Sequence, residues 1–251
     1  MLAGLKPVLV IDISNSWTKF GLTRGGGLSA AERIATPELT VAKLAGINKK
    51  YEPRLVVVAS VVPRATALAL QVWRGKKLLV VSDRIPLPIK LKYPNPHSIG
   101  ADRIANAVAA ARLYRLPAVA VDSGTAVTFD IVSGRGEYLG GVIAPGLNAM
   151  THYLHEKTAL LPHITLGEPR GAIGKSTVEA MRIGAVTGYR GLIRGVTEAI
   201  RKELRRKKIT VVATGGHAAL IAKGAEFIDA VDPLLTLRGL RFIAEYYEKE
   251  R

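Results

Sequence analysis

A β-hairpin that carries an aspartate at its turn occurs twice in this chain, and this repeat constrains the fold more than any other feature. In one copy an apolar strand ends at Asp122, turns at Gly124 and is followed by a second strand. Near the N-terminus an apolar strand over 8–11 runs into Asp12, and the chain returns as a strand over 18–22. The repeat predicts two related domains.

The residues of both turns suit a polyphosphate ligand. Backbone N–H groups and hydroxyls can approach phosphate oxygens, and the carboxylate can hold the accompanying cation. Asp, Asn, Ser and Gly also form turns for conformational reasons alone, which would be the better interpretation of a single copy. In both copies a Thr follows the Asp by six residues (Thr18, Thr128) and a Gly follows it by fourteen (Gly26, Gly136). Two matching copies favour two domains that face each other across a nucleotide cleft.

Length and composition fit that arrangement. A chain of 251 residues with 48% hydrophobic residues can fold as one large core or two ordinary domains. No apolar run reaches the roughly 18 residues of a membrane span, and the first residues lead into a strand without a signal pattern. We therefore expect a cytoplasmic protein with no membrane partner. The absence of Cys excludes disulfides and thiolate metal sites.

The formal net charge of +16 comes mainly from the first half of the chain. A basic surface attracts polyanions, either nucleic acid or ATP, although scattered Lys and Arg also serve simply to solvate a protein. The sequence has no helix-turn-helix spacing, zinc finger or basic strand interleaved with aromatics. We therefore expect no nucleic-acid partner.

The remaining pattern alternates strands and helices, which predicts an α/β protein. Strands are predicted over 55–59, 77–81, 138–143 and 209–213, and helices over 39–45, 65–73, 104–114, 147–157 and from 176 to 192 and beyond. Four prolines between Ile85 and Ser98 predict an ordered surface loop without regular structure.

Two charged residues stand at the predicted start of the helix over 104–114. Asp102 on its own is best interpreted as a first-turn carboxylate that the helix dipole stabilises. Arg103 is in the unfavourable place for a cation, so we expect it to have an anionic partner of its own.

Two further positions stand out at predicted helix starts. Ser176 and Glu179 form a capping box that does not need the hydroxyl of Thr177. Gly215 and Gly216 follow a strand and precede a helix, where a flat base or sugar can lie against the backbone.

Taken together, these stretches resemble the type III pantothenate kinases, which belong to the superfamily of acetate kinase, sugar kinases, Hsp70 and actin. The resemblance covers almost the whole chain, and its matching stretches are DISNSWTK (12–19), ASVVP (59–63), YPNP (93–96), GADRIANAVAA (100–110), DSGTAVTFD (122–130), GEYLGGVIAPGL (136–147), IGKSTVEAM (173–181) and VVATGG (211–216). It implies ATP-dependent phosphorylation of pantothenate on its terminal hydroxyl, the first committed step of coenzyme A synthesis. It also implies a homodimer.

The fold that the resemblance implies is α/β, with two ribonuclease-H-like (actin-like ATPase) domains. Each domain is a mixed sheet with flanking helices, and we expect the domains to span 1–115 and 116–251. The active site is expected in the cleft between them.

The resemblance also implies a role for individual residues. The implied ATP-binding residues are Asp12, Ile13, Ser14, Asn15, Ser16, Trp17, Thr18, Lys19, Thr125, Gly215 and Gly216. The implied pantothenate-binding residues are Tyr93, Gly100, Ala101, Asp102, Arg103 and Thr177, with Arg103 on the substrate carboxylate and Asp102 as the catalytic base. Asp122 is implied as the ligand of a monovalent cation, K⁺ or NH₄⁺, which acts beside Mg²⁺.

Three positions depart from the family pattern. Ser14 stands where the family has Gly, Ser16 where Thr is usual, and Ser123 where Phe is common. Ser14 is expected to narrow the phosphate turn and weaken ATP binding.

Two alternatives to the kinase remain. One is a regulatory or nucleic-acid-associated protein on the same fold, suggested by the charge and by family relatives first described as accessory factors in transcription. The other is a different phosphotransferase or polyphosphate hydrolase of the superfamily, which the GADR and YPNP stretches disfavour. The presence of Asp12, Asp102, Arg103 and Asp122 favours the kinase.

Overall fold

The computed structural model describes residues 7–74 and 78–250, and within them the chain forms two compact units. Unit 1 contains the described residues of 7–113 together with 136–138 and 234–250, and unit 2 contains 114–135 and 139–233. The strands are β1 (Val8–Ile13), β2 (Trp17–Arg24), β3 (Gly27–Ala35), β4 (Leu55–Ser60), β5 (Leu78–Val80), β6 (Lys90–Leu91), β7 (Ala118–Ser123), β8 (Ala126–Val132), β9 (Glu137–Pro145), β10 (Thr210–Thr214) and β11 (Ala230–Val231). The α-helices are α1 (Val41–Tyr51), α2 (Pro63–Val72), α3 (Ala101–Leu113), α4 (Leu147–Lys157), α5 (Thr177–Glu203), α6 (Ala218–Ala222) and α7 (Leu235–Lys249).

Unit 1 is built on a mixed sheet whose described strands lie in the order β3-β2-β1-β4-β5. β1 pairs antiparallel with β2 and parallel with β4. Both β1 and β4 are nearly continuous runs of buried apolar residues, which is typical of strands covered on both faces. They therefore form the centre of the sheet. The first hairpin, β1 and β2, lies in this central part.

The C-terminal helix α7 packs in unit 1 against α3, far from it in the sequence. A methyl group on Gly239 of α7 would overlap the carbonyl oxygen of Ala105 in α3, so the two helix backbones are in direct contact. Thr236 also donates a hydrogen bond to Asn106 at 2.8 Å between two buried side chains. The compact units thus differ from a simple division at 115 and 116, because α7 lies with the first unit.

Unit 2 repeats the strand arrangement of unit 1. β7 pairs antiparallel with β8 and parallel with β10, just as β1 does with β2 and β4. Its sheet continues to β11 on one side and to β9 on the other. The predicted repeat of a hairpin is confirmed, and each unit is a mixed sheet with helices.

The two hairpins differ by one residue at the turn, so the two threonines that follow their Asp by six residues do not occupy equivalent positions. Thr128 lies opposite Asp122, whereas Thr18 lies opposite Ile13. The first turn is one residue longer, which places Lys19 instead of Thr18 opposite Asp12.

The proline-rich segment contains more regular structure than predicted. β6 pairs in parallel with Glu137 and Tyr138, and the N–H of Lys92 donates to the carbonyl of Tyr138 at 2.8 Å. The prediction of an irregular loop is wrong here because the non-proline residues between Pro88 and Pro94 keep the N–H groups that a strand requires.

The other predicted elements agree with the structure apart from their ends. The first residue of the predicted strand 77–81 lies outside the described residues, and β5 covers the rest only as far as Val80. α3 begins three residues before the predicted start, because the N–H of Ile104 already donates to Gly100. Among the described residues, no helix has both the length and the apolar character needed to cross a membrane.

Candidate active site

The first hairpin places Asp12 at the end of a buried strand with two polar neighbours. The Asp12 side chain is almost fully buried, and the Lys19 ammonium lies 3.8 Å from its Oδ2 atom. The Ser14 hydroxyl donates to Asp12 Oδ1 at 3.1 Å. A single fixed carboxylate of this kind fits Mg²⁺, which usually takes one or two protein carboxylates and completes its shell with phosphate oxygens and water.

The turn that follows has buried ends and exposed middle residues. Ile13 and Thr18 are fully buried, so their side chains face the interior, while Asn15, Ser16 and Trp17 are exposed. Among the predicted ATP ligands, Ile13 and Thr18 can therefore contact a phosphate only through their backbone.

The exposed Trp17 ring at the end of the turn has a cation on its face. The Arg33 guanidinium lies 4.6 Å from the ring centroid, within the range of a cation–π contact. This contact holds Arg33 against a ring that is 43% exposed.

The start of α3 places Asp102 as the sequence predicted, in the first helical turn. Its Oδ1 atom accepts a hydrogen bond from the N–H of Arg103 at 2.8 Å, and the side chain is half-buried. A Cβ atom on Gly100 would lie 2.5 Å from this oxygen. Glycine is therefore required at position 100 for the carboxylate to take this position.

Arg103 belongs to a cluster with two tyrosines in unit 1. Its guanidinium is 5.9 Å from the centroid of the Tyr138 ring, and the Tyr138 and Tyr93 rings are 6.2 Å apart. Arg103 is 9% exposed and Tyr138 is fully buried. Tyr138 was predicted only as part of an apolar strand, and no local pattern could have shown that β6 would bring it beside Tyr93.

Val61 connects the first hairpin with the start of α3. Its N–H donates to the carbonyl of Ile13 at 3.1 Å, and its Cγ1 atom lies 3.6 Å from where a Cβ on Gly100 would be. Unit 1 therefore brings the predicted phosphate hairpin close to the predicted pantothenate-binding residues at the start of α3, with Val61 in contact with both.

In unit 2 the second hairpin lies directly against Gly215, the first residue of the glycine pair. Gly215 has a φ of +90°, and a Cβ atom there would lie 2.5 Å from Asp122 Oδ1 and 2.6 Å from the carbonyl oxygen of Ser123. The N–H of His217 donates to the same carbonyl at 3.2 Å. The structure thus brings together Asp122 and Gly215, whereas Gly216 is exposed and has open space around its Cα.

Gly146, at the start of α4, holds the tip of the second hairpin from the other side. Its N–H donates to the carbonyl of Thr125 at 3.2 Å, and a methyl group on Gly146 would overlap that carbonyl. The Thr125 side chain is exposed at the tip. A ligand can therefore approach Thr125 while the backbone of the turn stays fixed.

His217 is a residue of this region that the sequence reasoning did not identify. It follows the glycine pair and is half-buried, and this burial lowers the pKa of its imidazole below the ordinary value. Burial therefore favours the neutral form of the ring.

The predicted cap at Ser176 before α5 is confirmed, but the return bond of a capping box differs, because Glu179 accepts from the residue before the cap instead of from Ser176 itself. Ser176 Oγ accepts from the N–H of Glu179 at 3.3 Å, and Glu179 Oε2 accepts from the N–H of Lys175 at 2.9 Å. Thr177 is exposed at the first position of the helix. Its role as a pantothenate ligand stays a prediction.

Comparison with known proteins identifies the family. The model of the type III pantothenate kinase family matches residues 8–199. A type III pantothenate kinase of Methylacidiphilum infernorum is 45% identical over 97% of this chain and 90% of its own length. A second, of Akkermansia muciniphila, is 49% identical over 94% of this chain and 97% of its own.

Solved structures agree on the fold. A Campylobacter jejuni protein described as a Baf family transcriptional activator is similar with a TM-score of 0.63 at 20% identity, covering 96% of this chain and 99% of its own. The activator of the 2-hydroxyisocaproyl-CoA dehydratase from Clostridium difficile with bound ADPNP has a TM-score of 0.54 at 13% identity, covering 97% of both chains. The predicted fold of two ribonuclease-H-like domains is confirmed, and the chain belongs to the type III pantothenate kinase family.

Proposed function

We propose that this protein transfers the γ-phosphoryl group of ATP to the terminal hydroxyl of pantothenate, giving 4′-phosphopantothenate and ADP in coenzyme A synthesis. The observation that carries this function is the family match over nearly the whole chain. The geometry of unit 1 supports it, because Val61 joins the aspartate hairpin to the helix start that carries Asp102 and Arg103.

On the acceptor side, Asp102 is the catalytic base and Arg103 binds the substrate carboxylate. The Asp102 carboxylate takes the proton of the attacking hydroxyl as the new P–O bond forms and the bond to ADP breaks. Arg103, mostly buried beside Tyr138, provides a fixed cation for the pantothenate carboxylate. Gly100, Ala101 and Tyr93 complete this part of the site.

On the phosphate side, the two hairpins bind the triphosphate. Asp12 would hold Mg²⁺, Lys19 would balance phosphate charge, and backbone N–H groups of the turn Ser14–Trp17 would donate to phosphate oxygens. Thr125 contacts phosphate from the second hairpin. Gly215 and Gly216 lie under the adenosine.

Most of the rate comes from holding the hydroxyl and the γ-phosphate in line and from balancing charge, since phosphoryl transfer makes few covalent demands on a protein. The experiment is an assay with ATP, pantothenate, Mg²⁺ and K⁺ that detects phosphopantothenate by mass spectrometry. Formation of the product at a rate proportional to enzyme supports the proposal. ATP hydrolysis without phosphopantothenate would refute it.

Asp122 is proposed as the ligand of a monovalent cation. Its carboxylate and the Ser123 carbonyl lie on the same side of Gly215, so two oxygens of the kind that bind K⁺ are close together. We expect K⁺ or NH₄⁺ to activate far better than Na⁺, and Asp122→Asn to remove most of the difference. Equal rates in the three chlorides would contradict this role.

The homodimer, the role of Thr177 and a cytoplasmic location are proposed from the family alone. Light scattering after size exclusion tests the dimer, with a mass of about twice the 26.9 kDa of the chain expected. For Thr177 we expect Thr177→Val to raise the KM of pantothenate and to leave that of ATP unchanged. The regulatory alternative is not proposed, because the Campylobacter jejuni protein described as a transcriptional activator is only 20% identical to this chain, and that similarity shows the fold alone.

A further inference from the structure

The turn of the first hairpin is held by a residue outside the hairpin. Within the turn, the N–H of Ser14 donates to the carbonyl of Trp17 at 3.1 Å. This one bond closes a turn whose middle residues are exposed, so the positions of its other backbone groups depend on neighbouring residues. The relevant neighbour is Thr36, at the end of β3.

Thr36 makes three hydrogen bonds to the hairpin. Its N–H donates to the carbonyl of Ser16 at 3.0 Å, and its hydroxyl donates to the carbonyl of Ser14 at 2.7 Å. Its Oγ1 atom is also 3.0 Å from the hydroxyl oxygen of Thr18. Because Thr36 has one hydroxyl proton and the Ser14 carbonyl can only accept, the Thr18 hydroxyl must be the donor to Thr36.

These bonds form a buried chain from Thr18 through Thr36 to the carbonyl of Ser14. Thr36 is 7% exposed and Thr18 is fully buried, so water cannot easily replace either partner. Hydrogen bonds in series inside a protein polarise and strengthen one another. The Thr18 hydroxyl is used inside the protein, which leaves its backbone as the part that can meet a phosphate.

Thr36 itself is firmly placed. It begins a short 3-10 helix, Thr36–Glu38, in which the N–H of Leu39 donates to the Thr36 carbonyl at 3.1 Å. Pro37 fixes the next φ angle, and Leu39 is buried in the core of unit 1. The turn is therefore tied to the core through Thr36.

We infer that Thr36 is a positioning residue for ATP: it fixes the backbone of Ser14 and Ser16 so that the turn receives the phosphates. This inference rests on the proposed function, in which the same turn binds the triphosphate. The physical reason is that small displacements of preorganised donors reduce their interaction with a phosphate strongly. A purely structural role for Thr36 would change stability but not the affinity for ATP.

The test compares Thr36→Val with Thr36→Ser. Valine keeps the shape and removes the hydroxyl, which leaves the Ser14 carbonyl and the Thr18 hydroxyl without their partner. Serine keeps the hydroxyl and removes a methyl group, so it lowers stability without removing the bonds. We expect the KM of ATP to rise by about 5- to 20-fold in Thr36→Val, the scale of one or two lost buried hydrogen bonds. We expect it to stay within about 3-fold of the wild type in Thr36→Ser, and the KM of pantothenate to change little in either.

Thr197→Val in α5 of unit 2 is the matched control. Thr197 is also a buried threonine (4% exposed), and its hydroxyl has no hydrogen-bond partner among the described residues. It should change neither Michaelis constant. An unchanged KM of ATP in a folded Thr36→Val protein, or an equal rise in Thr36→Ser, would overturn the inference.

Calorimetric titration with a non-hydrolysable ATP analogue, without pantothenate, separates this inference from the proposed function. If the wild type binds the analogue but makes no phosphopantothenate, the proposed function fails while weaker analogue binding by Thr36→Val still supports the inference. If Thr36→Val does not fold, Thr18→Val provides the test, because it removes the hydroxyl that donates to Thr36. We expect Thr18→Val to weaken analogue binding by a measurable factor of less than about 5. No change in analogue binding by folded Thr18→Val would then count against the chain of hydrogen bonds.

Discussion

Replacing Asp102 by Asn separates a catalytic base from a helix-terminal carboxylate. The structure limits the effect on stability, because Asp102 Oδ1 accepts the N–H of Arg103 at 2.8 Å and the amide oxygen of Asn can accept the same bond. What is lost is the interaction of a charge with the helix N-terminus, about 0.3–1 kcal/mol. For a chain of this length the melting temperature should fall by about 4 °C or less.

The effect on the rate should be much larger. An amide cannot accept the proton of the attacking hydroxyl, and a general base contributes about 10²- to 10⁴-fold. We expect kcat to fall at least about 100-fold, which corresponds to about 2.7 kcal/mol and exceeds any stability effect of the same change. Pantothenate binding should remain measurable because Arg103 and Tyr93 are unchanged.

The assay measures phosphopantothenate at saturating ATP and pantothenate, together with thermal unfolding. Asp229→Asn is the matched control, since Asp229 Oδ2 also accepts a backbone N–H, that of Val211, at 2.9 Å. It should leave kcat unchanged. A near-normal kcat in folded Asp102→Asn would refute the assignment and leave positioning and charge as the means of catalysis.

Two further predictions concern single substitutions. Gly239→Ala should lower the free energy of unfolding by about 3 kcal/mol, because its methyl group would overlap the Ala105 carbonyl. Gly191→Ala should raise the free energy of unfolding by about 0.5–1 kcal/mol, because Gly191 has open space on the exposed face of α5. Urea unfolding measures both, and similar effects would contradict the close contact of α3 and α7. Ser14→Gly should lower the KM of ATP or leave it unchanged, because it removes bulk from the turn and frees Asp12 from one hydrogen bond. A large rise in steady-state assays would instead identify the Ser14 hydroxyl as a phosphate ligand.

The parts of the fold that local sequence determines could be predicted. Both hairpins are confirmed because apolar runs and turn residues are local signals, and so is the helix cap at Ser176. The register at the first turn could not be predicted, because it depends on which residue of β2 pairs with Asp12 of β1. A spacing of six residues between Asp and Thr is the same in both copies and does not reveal this difference.

The parts of the candidate site that depend on distant contacts were missed. Tyr138 reaches Tyr93 only through the pairing of β6 with β9, and Thr36 reaches Ser14 only because β3 lies beside β2. The position of α7 was missed for the same reason, since its partner α3 lies far earlier in the chain.

The position of α7 also has a consequence for synthesis on the ribosome. All of unit 2 emerges before residues 234–250, so a nascent chain can complete unit 2 while unit 1 still lacks its last helix. Until then the surface of α3 around Ala105, which α7 covers in the finished protein, is open to solvent. Translation products that stop near Pro233 should therefore expose an apolar helix face and be bound by chaperones or degraded.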